Sequence, residues 1–278
     1  MKQQIETNNE ELQKFQDFEH KGWQKAASTY SRFSQLTGQS IGPLLENLRL
    51  TKTDYLLDVA SGTGILSRQA SRNGSRTFGI DITEQMVEVA KQEYPTLSFK
   101  VANAEQTGFR SNTFTKVAIN HGLIHFARPQ IVLSEMYRVT TKDALLGMTL
   151  WDSLDRTIAF STVSQAAAKL STVQIDAPKT LMNYYTDEEK MRELLSNSGW
   201  KLRQFIHLPI VWELDSPTSI IDILMEGTVL MASKLKHQPP EVLEKIKAAV
   251  ALELKPFTTP ENTVKVPQGV LLIIASKI

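Results

Sequence analysis

Cysteine is absent from the 278 residues. Its absence removes disulfides, thiolate nucleophiles and cysteine-based zinc sites, and it fits a reducing compartment. Long hydrophobic runs are missing too: the longest unbroken one, 269–275, is far too short to span a bilayer. Neither sign of charge prevails, with 31 basic and 30 acidic residues and no cluster of Lys and Arg. Nucleic acid is therefore disfavoured as the main partner. The opening stretch M-K-Q-Q-I-E-T-N-N-E-E-L-Q-K carries no apolar segment, so no secretory signal is expected and the cytoplasm is the expected location. Internal repeats and low-complexity linkers are lacking as well. What remains is the ordinary balance of a soluble globular chain, 41% hydrophobic and 22% charged. The expected partner is a small molecule, and a monomer or a homodimer fits equally well.

Periodicity divides the chain. Residues 9–49 read as helical, with Leu12, Phe15 and Phe18, then Trp23, Ala26, Ala27 and Tyr30, recurring at three- and four-residue steps. A further helix is expected over 39–49. From residue 51 to 152 strand and helix alternate. Strands are predicted near 55–59, 76–80, 97–101, 115–120 and 144–151, and helices near 64–73, 84–93 and 129–139. Repeated βα units of this length predict a doubly wound α/β fold on a parallel sheet. Beyond Trp151 the pattern predicts helix to about 171, a loop around Pro178, a helix at 187–197, a strand at 201–214 and a helix at 217–234 opened by Ser216-Pro217. A helix after Pro239-Pro240 and a strand at 264–277 close the chain. The length fits one domain, with its core in about 50–152, 186–215 and 260–278. A helical cap is expected from 8–49, 153–185 and 216–258.

Chemistry concentrates in D-Y-L-L-D-V-A-S-G-T-G (54–64) and F-G-I-D (78–81). Asp58 lies on the first strand, ahead of Gly62 and Gly64, which let a ligand approach the backbone at a helix N-terminus. Asp81 ends the second strand, where a carboxylate can accept both hydroxyls of a ribose. Asn103, Ala104 and Glu105 follow the third, where an amide and backbone groups can meet an adenine edge. All belong to the C-terminal ends of adjacent strands, the ligand edge of an open sheet. The dinucleotide fingerprint G-x-G-x-x-G/A fails at its third glycine, which is Ser67. An acid ahead of the loop is also unhelpful beside a diphosphate, but it suits a ligand carrying a ribose, a sulfonium and an ammonium group.

These stretches, with A-N-A-E-Q-T-G-F and A-I-N-H-G-L-I-H-F, resemble the class I S-adenosylmethionine-dependent methyltransferases. The branch is the small-molecule one that includes the ubiquinone/menaquinone-biosynthesis enzymes, and the likeness covers about 51–152. It implies a Rossmann-like seven-stranded sheet whose last strand is antiparallel, with S-adenosyl-L-methionine (SAM) as cofactor and S-adenosyl-L-homocysteine (SAH) as product. It assigns Gly62 and Gly64 to the methionine and ribose region, with Ala60 beside them, and Asp81 to the ribose hydroxyls, with Ile82 and Met86 beyond. Asn103, Ala104 and Glu105 would meet adenine, and Asn120 would lie by the methionine moiety with Tyr30 reaching over. The family's usual Asp is Asn103 here.

The expected activity is in-line methyl transfer to a small organic acceptor. The alternative is a protein of the same fold that binds SAM in a non-methylating or regulatory role. Alignment and exclusion of water are the main demands of the reaction, and a base is needed only if the acceptor arrives protonated. His121 and His125, after the fourth strand, are the candidate catalytic residues; no metal site is expected, since a third ligand is missing. Tyr184, Tyr185, Trp151 and Trp212 could line an acceptor pocket or simply pack. Asp152 could be a pocket acid, and Asp222 and Glu226 read as a solvated helix edge.

Overall fold

The computed structural model describes residues 9–177 and 182–278; the loop expected around Pro178 lies outside the described residues. Three helices open the chain: α1 (Asn9–Ala26), α2 (Ser31–Thr37) and, after one 3-10 turn, α3 (Ile41–Asn47). The βα alternation follows as β1 (Tyr55–Val59), α4 (Ile65–Ser71), β2 (Arg76–Asp81), α5 (Glu84–Glu93), β3 (Ser98–Val101), β4 (Phe114–Asn120), α6 (Pro129–Val139) and β5 (Thr140–Trp151). Then come α7 (Ile158–Leu170), α8 (Met182–Tyr185), α9 (Glu188–Ser196), β6 (Trp200–Leu208) and β7 (Val211–Leu214). The rest is α10 (Ser219–Gly227), α11 (Leu230–Lys236), α12 (Pro240–Glu253), β8 (Val264–Pro267) and β9 (Val270–Lys277).

Seven strands form one sheet in the order β3-β2-β1-β4-β5-β9-β6. β1, β2, β3, β4 and β5 pair in parallel, and β9 runs antiparallel to both β5 and β6. The strand order reverses between β1 and β4, which opens the crevice in which such sheets hold ligands. Both faces are covered. Val132, Leu133 and Met136 of α6, with Met191, Leu194 and Leu195 of α9, bury against Leu57, Val117, Leu146 and Ile273. On the other face Ile41 and Leu44 of α3, Leu48 at its C-cap and Leu66 of α4 meet Leu56, Ala118 and Leu272.

Two expected strands break, and they break together. The strand predicted at 201–214 divides into β6 and β7, and the one at 264–277 into β8 and β9, with β7 and β8 forming their own antiparallel pair. Pro209 interrupts the first, and Pro267 with Gly269 the second; a proline donates no ladder hydrogen bond. The predicted helix 217–234 is also two. It begins at Ser219 with Thr218 at its N-cap, and it stops at Gly227. A Cβ on Gly227 would sit 2.1 Å from the Cβ of Phe33, so the glycine admits α2 against α10 and Thr228 turns to extended geometry. A third apolar cluster joins Phe33 to Trp151, Trp212, Ile220, Ile246 and Val266, which ties α2, α7, α10, α11 and α12 to the β7–β8 pair. Among the described residues, no helix is long and apolar enough to cross a membrane.

Candidate functional site

The loop after β1 is built by backbone geometry that only certain residues tolerate. Gly62 and Gly64 hold φ of +51° and +87°, and Gly64 is the N-cap of α4. A Cβ on Gly64 would stand 2.7 Å from the ring of Phe99. Gly64→Ala is therefore expected to destabilise the protein by about 1–2 kcal/mol from its left-handed conformation alone, read as a lower midpoint in urea unfolding. A wild-type midpoint would show that the loop relaxes freely.

Two acids organise this loop. Asp58, buried in β1, accepts from the Ser67 backbone N–H (3.0 Å) and the Ser67 hydroxyl (2.7 Å) on the same oxygen. Ser67 is the residue that replaces the third glycine of the dinucleotide pattern, and it binds the preceding strand instead of making room for a diphosphate. Burial pushes the Asp58 carboxyl up to about 7, against the pull of Ser67 and with a further push from Asp81. Asp81 accepts from Gly62 N–H (2.9 Å) and Thr83 N–H (2.9 Å), one on each oxygen, which leaves lone pairs on both. Burial raises its pKa as well. Ile82 beside it exposes 49% of its surface, whereas Met86 is buried in α5.

Asn103 is exposed and closes an Asx turn, its side-chain oxygen accepting from Glu105 N–H at 2.9 Å. Glu105 pairs through both oxygens with Arg128. Ala104 is buried next to them, and Ala102 N–H binds the Asp81 carbonyl at 2.9 Å, which ties the ends of β2 and β3 together. The amide NH2 of Asn103 remains for a ligand.

At the end of β4, Thr149 donates to the Asn120 side-chain oxygen at 2.7 Å, and the Ser40 hydroxyl lies 2.9 Å from the same atom. That orientation leaves the Asn120 NH2 for a ligand. His121 follows with φ of +55°, its N–H held by Thr149 and its ring stacked on Trp151 at 4.0 Å. Its Nε2 lies 3.3 Å from Ser40 Oγ, and its Nδ1 is buried with no partner among the described residues. Burial pushes the imidazole down to about 3. A base working near neutral pH is therefore not what His121 offers; the ring is a neutral hydrogen-bond acceptor. His125 is engaged elsewhere: its Nδ1 lies 2.8 Å from Glu19 Oε2, which also accepts from Trp23 Nε1 at 2.9 Å.

Those contacts roof the cradle. Trp23 stands edge-on to His125 and Tyr30, and Tyr30 continues to Phe33, Trp151 and His121. The Tyr30 ring lies over Gly62, 3.8 Å from where its Cβ would be. Burial, with Asp81 nearby, pushes the Tyr30 hydroxyl up to about 12. Trp212 and Tyr185 are fully packed in the hydrophobic clusters. Asp152 is paired with His207 and Arg156, and Glu226 faces Arg32 at 3.6 Å. Among the described residues no three His, Asp or Glu side chains converge as metal ligands.

The donor and acceptor set fits SAM. Free lone pairs on Asp81 suit vicinal hydroxyls, the half-exposed Ile82 offers an apolar surface to a base, and the partnerless Nδ1 of His121 suits an ammonium donor. Sequence reasoning missed the supports: Ser67, Thr149, Ser40, Glu19 and Arg128. Only Ser67 had a visible signal, as the residue where the glycine fails.

Comparison with known proteins agrees. A family model described as a methyltransferase domain matches residues 57–148, the stretch from β1 to β5. A demethylmenaquinone methyltransferase of Paenarthrobacter aurescens (strain TC1) is 28% identical over 156 residues, which are 52% of this chain and 61% of that protein. The chain thus spans less than two thirds of that relative's length. Among solved structures, a Bacillus halodurans C-125 protein provisionally described as a methyltransferase superposes with a TM-score of 0.57 at 17% identity, over 86% of this chain and 99% of that one. The [4+2]-cyclase SpnF superposes with a TM-score of 0.53 at 16% identity, over 86% of this chain and 80% of that one. The resemblance to class I SAM-dependent methyltransferases, and the Rossmann-like sheet with one antiparallel strand, are borne out.

Proposed function

We propose that this chain is a SAM-dependent methyltransferase acting on a small organic acceptor. The observation that carries the reading is the coincidence of the cradle around Asp81 with the matched methyltransferase segment. SAM supplies a methyl group already activated by its sulfonium. The chain's part is to hold and align. Asp81 takes the ribose hydroxyls, and Asn103 with Ala104 takes the adenine edge. Asn120 and His121 hold the methionine moiety, while Tyr30 and α1 keep water out. The relatives' name makes a reduced, demethylated quinone ring the first acceptor to try.

The second reading, SAM bound without methyl transfer, is favoured by one observation: a cyclase shares this fold. Calorimetric titration with SAM, followed by SAH release over an acceptor panel that includes reduced 1,4-naphthoquinone, separates them. Micromolar binding with SAH formed from one acceptor is the expected outcome. Binding with no SAH from any acceptor moves the assignment to the second reading, and no binding removes both.

A further inference from the structure

A second constellation stands apart from the cradle. Asp152 directly follows β5 and is 2% exposed. Its Oδ1 accepts from Ser153 N–H at 2.7 Å, and its Oδ2 lies 2.7 Å from His207 Nδ1 and 3.8 Å from Arg156 Nε. His207 belongs to β6, two strands across the sheet. The register Leu150↔Leu271 and His207↔Leu271 puts β9 between them. Just ahead of β9, Gly269 accepts from Asp152 N–H at 3.1 Å and presents no side chain beside it. A Cβ on Gly269 would sit 3.2 Å from the Asp152 Cβ and 3.0 Å from the Arg156 Cβ.

The arrangement has a chemical direction. With Nδ1 bound to a carboxylate, the neutral ring keeps its proton there and turns a basic Nε2 away from Asp152. The His207 side chain is 43% exposed, while that of Asp152 is 2% exposed. Both residues lie toward the C-terminal ends of β5 and β6, the edge that holds ligands in open α/β sheets. Trp151, next in the chain to Asp152, stacks on His121 beside the methionine end of the cradle. The pair thus shares the ligand edge of the sheet with the cradle, displaced from it toward β6. The other charged groups of this cluster are Arg156, on Asp152 Oδ2, and Asp155, within electrostatic reach of His207.

We propose that His207 is the catalytic base for the acceptor, that Asp152 is its positioning residue, and that the acceptor is a ring bearing an acidic hydroxyl, such as a hydroquinone, phenol or enol. This rests on the methyltransferase reading. The acceptor's O–H proton passes to Nε2. The freed electron pair, on oxygen or delivered through the ring to the adjacent carbon, bonds to the methyl carbon, and the methyl–sulfur pair remains on sulfur as SAH. After attack through carbon, the ring returns its C–H proton to oxygen. One proton per turnover leaves His207 for solvent.

The test uses the full chain with SAM and 1,4-dihydroxynaphthalene as probe. Calorimetry is expected to give His207→Ala and Asp152→Asn wild-type affinity for SAM. Turnover of His207→Ala should fall about 100-fold or more, and added imidazole should restore part of it. Asp152→Asn should displace the pH–kcat profile, and probe binding to the SAH complex, followed by fluorescence, should weaken in His207→Ala. Near wild-type kcat in His207→Ala, or an unaltered profile in Asp152→Asn, overturns the proposal. A wild-type protein that binds SAM but neither binds nor methylates the probe overturns it while the cofactor site stands. Failure to bind SAM at all removes the methyltransferase reading, and this proposal with it.

Discussion

Asp81→Ala is expected to weaken SAM binding by about 1.5–3 kcal/mol, the range for hydrogen bonds to a charged group, or about 10- to 150-fold in Kd. Two effects act in the same direction. The ribose hydroxyls lose an acceptor whose free lone pairs face the ligand edge. The Gly62 and Thr83 N–H groups lose theirs too, so the loop that Gly62 shapes has to find water before it can receive the ligand. Asp81→Asn separates the two, because one amide oxygen still accepts but no negative charge remains; it should fall between wild type and alanine. Calorimetric titration checks the order, with thermal unfolding of each apo variant as control. Equal affinity in all three proteins would mean that Asp81 serves the loop alone and that the ribose lies elsewhere.

The parts of this molecule that local pattern specifies were legible. β1 is a short apolar run that ends in glycines, and it is a buried central strand. The βα alternation from β1 to β5 fell where expected because each element is long enough to show its period. Three failures share a different cause. The strands expected over 201–214 and 264–277 divide at Pro209 and at Pro267-Gln268-Gly269, where alternation carries on but the ladder cannot. The helix over 217–234 divides at Gly227 because α2 presses against it, a contact 194 positions away in sequence from Phe33 to Gly227. At the site Asp81 was marked by motif order, and Asn120 and Tyr30 by the family resemblance, while their supports were not marked at all. Ser40 on Asn120, Glu19 on His125 and His207 on Asp152 are pairs brought together only by the fold. His121 illustrates the limit: its place after β4 was legible, but its chemistry depends on burial under Trp151, which no spacing reveals.

SAM affinity is expected to rise with pH up to about 7 and then level off, and Asp58→Asn is expected to flatten that dependence. The argument begins with the folded protein without ligand. Burial holds the Asp58 carboxyl at about 7, against 3.8 as the ordinary value. Between those two pH values the native state keeps a proton that the unfolded chain has lost. Stability from this group therefore falls as pH rises through the window, by up to about 1.4 kcal/mol per pH unit. Below 3.8 both states are protonated, and above 7 neither is, so the penalty stops growing there. A cationic ligand reverses the preference. A sulfonium and an ammonium near the loop favour the ionised carboxylates of Asp58 and Asp81, lower both pKa values and expel a proton on binding. Each proton released steepens the dependence by up to about tenfold in Kd per pH unit below 7. Asparagine at 58 still accepts from Ser67 but has no proton to release. Titrations between pH 5.5 and 8.5 in buffers of different ionisation enthalpy measure the released proton directly. A flat profile in the wild-type protein would show that Asp58 keeps one protonation state throughout, and its role would then reduce to anchoring α4 through Ser67.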